Sequence, residues 1–187
     1  MKYLFLDIDG VLNYGYGIIK DRTPNGWLGL CDEKIKILKT LIDKVHPKVV
    51  LSSSWRKISD GDLEWLHDRL KKYNILIDDY TTNEFPEDRR DLQIIEYLIK
   101  NLKDNDQFVI VDDSFLDEFI TSGLQKHFVQ TEWKYGLTSE NVQLAIGILK
   151  SSIKYKIPTK DEFKLMISRE LKGYHDFRFG DEKFNKS

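Results

Sequence analysis

The sequence predicts an α/β fold, a three-layer sandwich with a mainly parallel five-stranded sheet between helices, and three observations lead there. Short apolar runs alternate with helical patterns along the first 150 residues, as in a sheet whose strands are joined by crossover helices. Five such runs are present, from Tyr3 to Leu6 through Phe128 and Val129. Polar, chemistry-bearing residues follow directly after three of the runs, and in an open parallel sheet the carboxyl ends of the strands are where ligands bind.

The elements follow in order. Tyr3 to Leu6 reads as the first strand. Ile35, Leu38, Leu41, Ile42 and Val45 recur at helical spacing and predict a helix of about three turns that stops before Pro47. Val49 to Leu51 is the second strand, and Leu63, Leu66 and Leu70 mark the next helix. Ile75 to Ile77 is taken as the third strand, Leu92, Ile95, Leu98 and Ile99 as the third helix, and Phe108 to Val111 as the fourth strand. Phe128 and Val129 with their flanks complete the sheet. Thr138, after Gly136-Leu137, is the expected N-cap of a last helix carrying Val142, Ile146 and Leu149 on one face.

Residues 151 to 187 differ from this body. They hold nine basic and six acidic residues, a helical pattern from Lys160 to Leu171, and a polar end with Gly173 and Gly180. The expected organisation is one α/β domain over 1–150 and a C-terminal helical extension over 151–187. At 187 residues with 41% hydrophobic content the chain is long enough for one good core and too short for two.

Composition excludes several classes. Twenty-nine basic residues against 31 acidic ones create no global field for nucleic acid or anionic lipid. The single cysteine, Cys31, rules out an internal disulfide framework and a multi-cysteine zinc site. No apolar run approaches the ~20 residues that cross a bilayer. The N-terminal apolar stretch is too short for a secretory signal. The expectation is a cytoplasmic protein without membrane contact. His46, His67, His127 and His175 are scattered and show no ligand spacing.

The chemistry is concentrated at the strand ends. Asp7-Ile8-Asp9-Gly10-Val11 follows the first strand, Ser52-Ser53-Ser54-Trp55-Arg56 the second and Asp112-Asp113-Ser114 the fourth. Four carboxylates at one sheet edge repel one another unless a cation sits among them, and an all-oxygen set points to Mg²⁺. The spacing of Asp7 and Asp9 puts both side chains on one side if the strand continues through them. Gly10 then allows a tight turn away from the site.

The segment Asp7-Ile8-Asp9-Gly10-Val11 resembles the first motif of the haloacid dehalogenase (HAD) superfamily. Ser52 or Ser53 resembles its second motif, Arg89 or Arg90 stands in the place of its third, and Val111-Asp112-Asp113 resembles its fourth. The likeness spans about residues 1 to 150 and implies a Rossmann-like fold. A narrower likeness, carried by Phe5 to Asn13, Leu51 to Arg56, Asp112-Asp113 and Gly136-Leu137-Thr138, is to the small HAD-type domain of multi-domain RNA-repair proteins. No GxxxxGK[ST] segment signals an attached P-loop kinase.

This resemblance implies a Mg²⁺-dependent phosphatase. Asp7 would attack phosphorus to form an aspartyl-phosphate, and Asp9 would protonate the departing oxygen and then activate water. Family ATPases have Thr in place of Asp9 and dehalogenases lack this second acid, so a phosphatase leads. Ser52 or Ser53 would bind phosphoryl oxygens, and Arg90 or Arg89 would offset charge, with Arg90 preferred because it lies four residues before Ile94 as in the RNA-repair pattern. Arg56 is a further candidate for substrate contact, whereas Trp55 is read as a packing residue. Asp7, Asp9, Asp112 and Asp113 are the candidate metal ligands.

Val11 to Leu30 leaves only about twenty residues before the first helix, too few for a large cap domain. The site is therefore expected to be open, with Tyr14-Gly15-Tyr16-Gly17 either a flap or an ordinary turn. The expected substrate is a nucleotide or a nucleic-acid end phosphate. The competing readings are a non-catalytic module that holds Mg²⁺ or a phosphorylated partner, a small-metabolite phosphatase, and a phosphotransferase.

Overall fold

A computed structural model describes residues 1–15, 21–86 and 88–170 of the chain. Two compact units are present, Met1–Ile157 and a second beginning at Pro158. The first contains five strands: β1 (Lys2–Leu6), β2 (Lys48–Leu51), β3 (Asp79–Tyr80), β4 (Gln107–Asp112) and β5 (Phe128–Gln130). They form one sheet in the order β3-β2-β1-β4-β5, and every pairing is parallel. Five helices accompany them: α1 (Asp32–Val45), α2 (Asp60–Lys71), α3 (Arg90–Asn101), α4 (Leu116–Thr121) and α5 (Ser139–Lys150).

The continuous apolar runs are explained by burial on both faces of the sheet. On one face Leu4, Leu6, Leu51, Val109 and Val111 join Ile35 and Leu38 of α1 and Val142 and Ala145 of α5 in a single core. On the other, Phe5 meets Tyr97 of α3 edge-on at 5.4 Å between ring centres and Phe108 at 6.0 Å. Three layers result. Helix α5 starts as expected: Thr138 Oγ1 accepts from the Asn141 backbone N–H, while the Asn141 side chain accepts from the Thr138 N–H.

Two local readings are corrected. The third strand lies at Asp79–Tyr80, not at Ile75 to Ile77. Ile75 is instead spent on closing α2, where its N–H donates to Leu70 O after the left-handed turn at Asn74 (φ 55°). The chain then reaches β2 only at Asp78, whose N–H donates to Val49 O and whose carboxylate accepts from Val49 N–H at 2.7 Å. Helix α4 was not expected. Its six residues bury only Phe119 and are too few to show a period.

Residues 151–157 belong to the first unit, where the Tyr155 ring packs against Phe108 and its hydroxyl donates to Ser122 O at 3.2 Å. The second unit carries α6 (Lys160–Glu170), capped by Thr159, whose hydroxyl accepts from the Glu162 N–H. Leu171, Gly173 and Gly180 lie outside the described residues, as do Tyr16 and Gly17 of the flap segment. Among the described residues no helix is long and apolar enough to cross a membrane.

Candidate active site

Parallel register builds the site. Leu6 of β1 is opposite Leu51 of β2 and Val111 of β4. The next row therefore holds Asp7, Ser52 and Asp112, and hydrogen bonds from Asp7 N to Val111 O (3.0 Å) and from Ser52 N to Leu6 O (3.0 Å) fix it. Side chains alternate along a strand. This row thus shares the side of Phe5, Val50 and Ile110, the face that α3 covers. Arg90 is the first residue of α3 and enters the same row: its Nη1 donates to Asp7 Oδ1 at 3.4 Å, and its Nε is 4.0 Å from Asp112 Oδ2. Phe115 supports the guanidinium from 5.1 Å away, its backbone held at φ 66°.

The row is almost dry. Asp7 is 5% exposed, Arg90 4%, and Ser52 and Asp112 0%. Three buried polar atoms in it, Ser52 Oγ, Arg90 Nε and Asp112 Oδ2, have no hydrogen-bond partner. Such atoms are costly to bury unless something satisfies them. Two donors and one acceptor are thus left in one buried row for a ligand to satisfy.

Asp7, Asp112 and Asp113 can bring one carboxylate oxygen each within 4.8 Å of the others. Burial pushes the Asp7 carboxyl up to about 6, against the pull of Arg90 and of a hydrogen bond from Ser53. Burial, then the charge of Asp7, raises Asp112 well above the carboxylate range, and burial raises Asp113. Acids raised in this way are what a divalent cation would relieve, and three carboxylates with orphaned Asp112 Oδ2 form a donor set of the hard, all-oxygen kind that Mg²⁺ takes. Asp113 approaches closely because residue 10 has no side chain: a Cβ on Gly10 would stand 2.2 Å from Asp113 Oδ2, and φ there is +71°. Thr131 holds this turn by donating from Oγ1 to Gly10 O at 2.8 Å.

The Asp9 carboxylate lies outside that group of three. Its Oδ1 accepts from Asn13 Nδ2 at 2.7 Å and its Oδ2 from Trp55 Nε1 at 2.9 Å. Asn13 also accepts the Gly10 N–H at 3.1 Å, so one side chain fixes both the turn and the acid. Ser53 sits beside Asp7 and caps the short 3-10 turn Ser54–Lys57, accepting from Trp55 N at 3.4 Å.

The other arginines are placed differently. Arg89 is directed to Asp91, with Nε and Nη2 each 3.0 Å from a carboxylate oxygen. Arg56 is buried and donates to Thr82 O, Ser53 O and Gln93 Oε1, so it holds the loop after β2 against α3. Reading the sequence missed the roles of Asn13, Trp55, Thr131 and Phe115. Only Asn13 offers a signal, a short amide four residues after Asp9 across the expected turn.

No curated protein matches the chain. A family model described as the HAD domain in Swiss Army Knife RNA repair proteins matches residues 3–142, a span that includes both strand-end aspartate pairs, the Ser52-Ser53 hydroxyls and Arg90. With three quarters of its length matched and the acidic row in place, the chain belongs to this family of HAD domains.

Proposed function

We propose that the protein is a Mg²⁺-dependent phosphatase that cleaves a phosphomonoester through an aspartyl-phosphate on Asp7, its substrate a nucleotide or a nucleic-acid end phosphate. The observation that carries this reading is the row of Asp7, Ser52, Asp112 and Arg90 with its three unpartnered buried atoms. Each would find a partner in the same ligand pair: Ser52 Oγ and Arg90 Nε donate to phosphoryl oxygens, and Asp112 Oδ2 binds the cation.

Asp7 attacks phosphorus opposite the leaving oxygen, and as the P–O bond to the leaving group breaks, Asp9 delivers a proton to that oxygen. A carboxylate has about four lone-pair sites, so Asp9 can carry this proton while still accepting from Asn13 and Trp55. In the second half Asp9 takes a proton from water, which attacks the phosphorus and frees Asp7 and inorganic phosphate. Arg90 and Ser52 hold the phosphoryl oxygens through both halves. Asp7, Asp112 and Asp113 would hold Mg²⁺, which would supply the positive charge that lets one anion approach another.

The test is phosphate release from an aryl phosphate by the full chain. Activity should appear with Mg²⁺, vanish in excess chelator and be absent in Asp7→Asn, and Asp112→Ala should raise the Mg²⁺ needed for half-maximal rate. Full activity in chelator, or in a folded Asp7→Asn protein, refutes the proposal.

A further inference from the structure

Asp9 also lines a second feature whose lining includes none of Asp7, Ser52, Arg90 or Asp112. A pocket of about 270 Å³ is lined by Asp9, Trp27, Ser54, Trp55, Lys57 and Ile58. The leaving oxygen of the substrate must come to Asp9 if that residue protonates it, so the group attached to that oxygen has this pocket as its neighbour. Two indole rings and Ile58 make it apolar, while Ser54 and Lys57 add a hydroxyl and a positive charge at the rim.

The backbone around Trp27 is firmly held although the side chain is 62% exposed. Residues 22–28 close into a tight hairpin, with Arg22 bridged to Leu28, Thr23 N–H donating to Trp27 O at 3.1 Å and Trp27 N–H donating to Thr23 Oγ1 at 3.2 Å. Gly26 supplies the positive φ of +84° that the turn requires. Asn25 staples the hairpin to the start of α2: its N–H donates to Asp62 Oδ1 at 3.1 Å, and its Nδ2 donates to Asp62 Oδ2 at 2.9 Å and Ser59 Oγ at 2.7 Å. This anchoring orders the hairpin against the start of α2, and with it the backbone that carries the exposed indole. A flat ligand gains from that order, because the platform is ordered before binding and little entropy is lost on contact.

We propose that the pocket between Trp27 and Asp9 receives the nucleoside that carries the phosphate, its base stacked on Trp27 and its sugar turned to Asp9. The inference rests on the phosphatase reading and gives its leaving group a chemistry. A base is flat and stacks on an indole whatever its identity. A ribose with its hydroxyls suits the Ser54 rim, and further phosphate suits Lys57. At about 270 Å³ the pocket is near the small end of ligand pockets, a scale that suits a single nucleoside better than a longer segment. Selection is therefore for a nucleoside unit, with weak preference among bases.

The experiment measures kcat/KM of the full chain on adenosine 3′-monophosphate, adenosine 5′-monophosphate, a 3′-phosphorylated trinucleotide, ribose 5-phosphate and a phosphotyrosyl peptide, for the wild type, Trp27→Ala and Trp27→Phe. The wild type should prefer nucleotides to ribose 5-phosphate. Trp27→Ala should reduce that preference by about 5- to 150-fold, chiefly through KM, and Trp27→Phe should restore most of it. An equal Trp27 dependence for mononucleotide and trinucleotide assigns the pocket to a free nucleoside monophosphate, and a larger one for the trinucleotide assigns it to a chain end. An unchanged ratio, or a Trp27 dependence confined to the phosphotyrosyl peptide, overturns the proposal while leaving the phosphatase standing. Binding of adenosine 3′-monophosphate to Asp7→Asn, followed by tryptophan fluorescence, separates the two claims. Binding that Trp27→Ala weakens supports the pocket even without turnover, and no binding overturns it.

Discussion

Replacing Asp7 by Asn removes a charge from a place where burial makes that charge expensive. The carboxyl stands at about 6 in the folded chain against an ordinary 3.8, and the value already contains the attraction of Arg90. At ~1.4 kcal/mol for each tenfold step, keeping Asp7 ionised costs the metal-free protein ~3 kcal/mol above pH 6. A group raised on folding adds no penalty below 3.8, where both states are protonated. The penalty grows between 3.8 and about 6 and is complete above. Asn mimics the neutral acid, so in chelator at pH 7.5 the variant should melt roughly 6–12 °C above the wild type, at ~2–4 °C per kcal/mol for a chain of this size. At pH 4 the two should nearly coincide. Mg²⁺ at a hundredfold excess over its dissociation constant should add ~3 kcal/mol to the wild type and much less to the variant, closing the gap at pH 7.5. Thermal denaturation followed by circular dichroism at both pH values, with and without Mg²⁺, reads all four conditions. A variant that melts below the wild type in chelator at pH 7.5, or a gap that ignores pH, would refute the electrostatic account of the site.

Trp55→Phe removes the indole N–H that orients Asp9, a hydrogen bond to a charged group worth ~1.5–3 kcal/mol. Turnover should fall by about tenfold or more for a poor leaving group and less for nitrophenolate, and equal losses would deny Asp9 its role as acid. The neighbouring arginines should separate cleanly. Arg90→Ala should lower kcat by about 10²–10³, whereas Arg89→Ala should spare turnover and cost about 1–3 kcal/mol in denaturant unfolding because Asp91 loses its paired donor. Gly10→Ala should cost ~1–2 kcal/mol for its left-handed backbone. It should also raise the Mg²⁺ requirement several-fold by displacing Asp113, and an unchanged requirement would remove Asp113 from the metal set.

Much of this protein was legible in the chain itself. An apolar run such as Tyr3 to Leu6 has one comfortable place in an α/β domain, the centre of a parallel sheet, and acids directly after it can only emerge at the carboxyl edge. Element type, sheet class and the gathering of Asp7, Asp112 and Asp113 follow from local pattern plus topology. The third strand did not, because two residues of pairing carry no periodic signal and Ile75 serves a helix end equally well. Ser52 and Ser53 are one residue apart and Arg89 and Arg90 are one residue apart, so in each pair the side chains point in different directions. Only register turns Ser52 into the row of Asp7, and only the first turn of α3 sends Arg90 to the acids and Arg89 to Asp91. Trp55 reaches Asp9 across 46 residues, and Asn25 pins the Trp27 hairpin to Asp62 across 37. Contacts at such separation leave no period in the sequence, so the acids were written in the chain while their orienting partners were decided by the packing of loops from different strands.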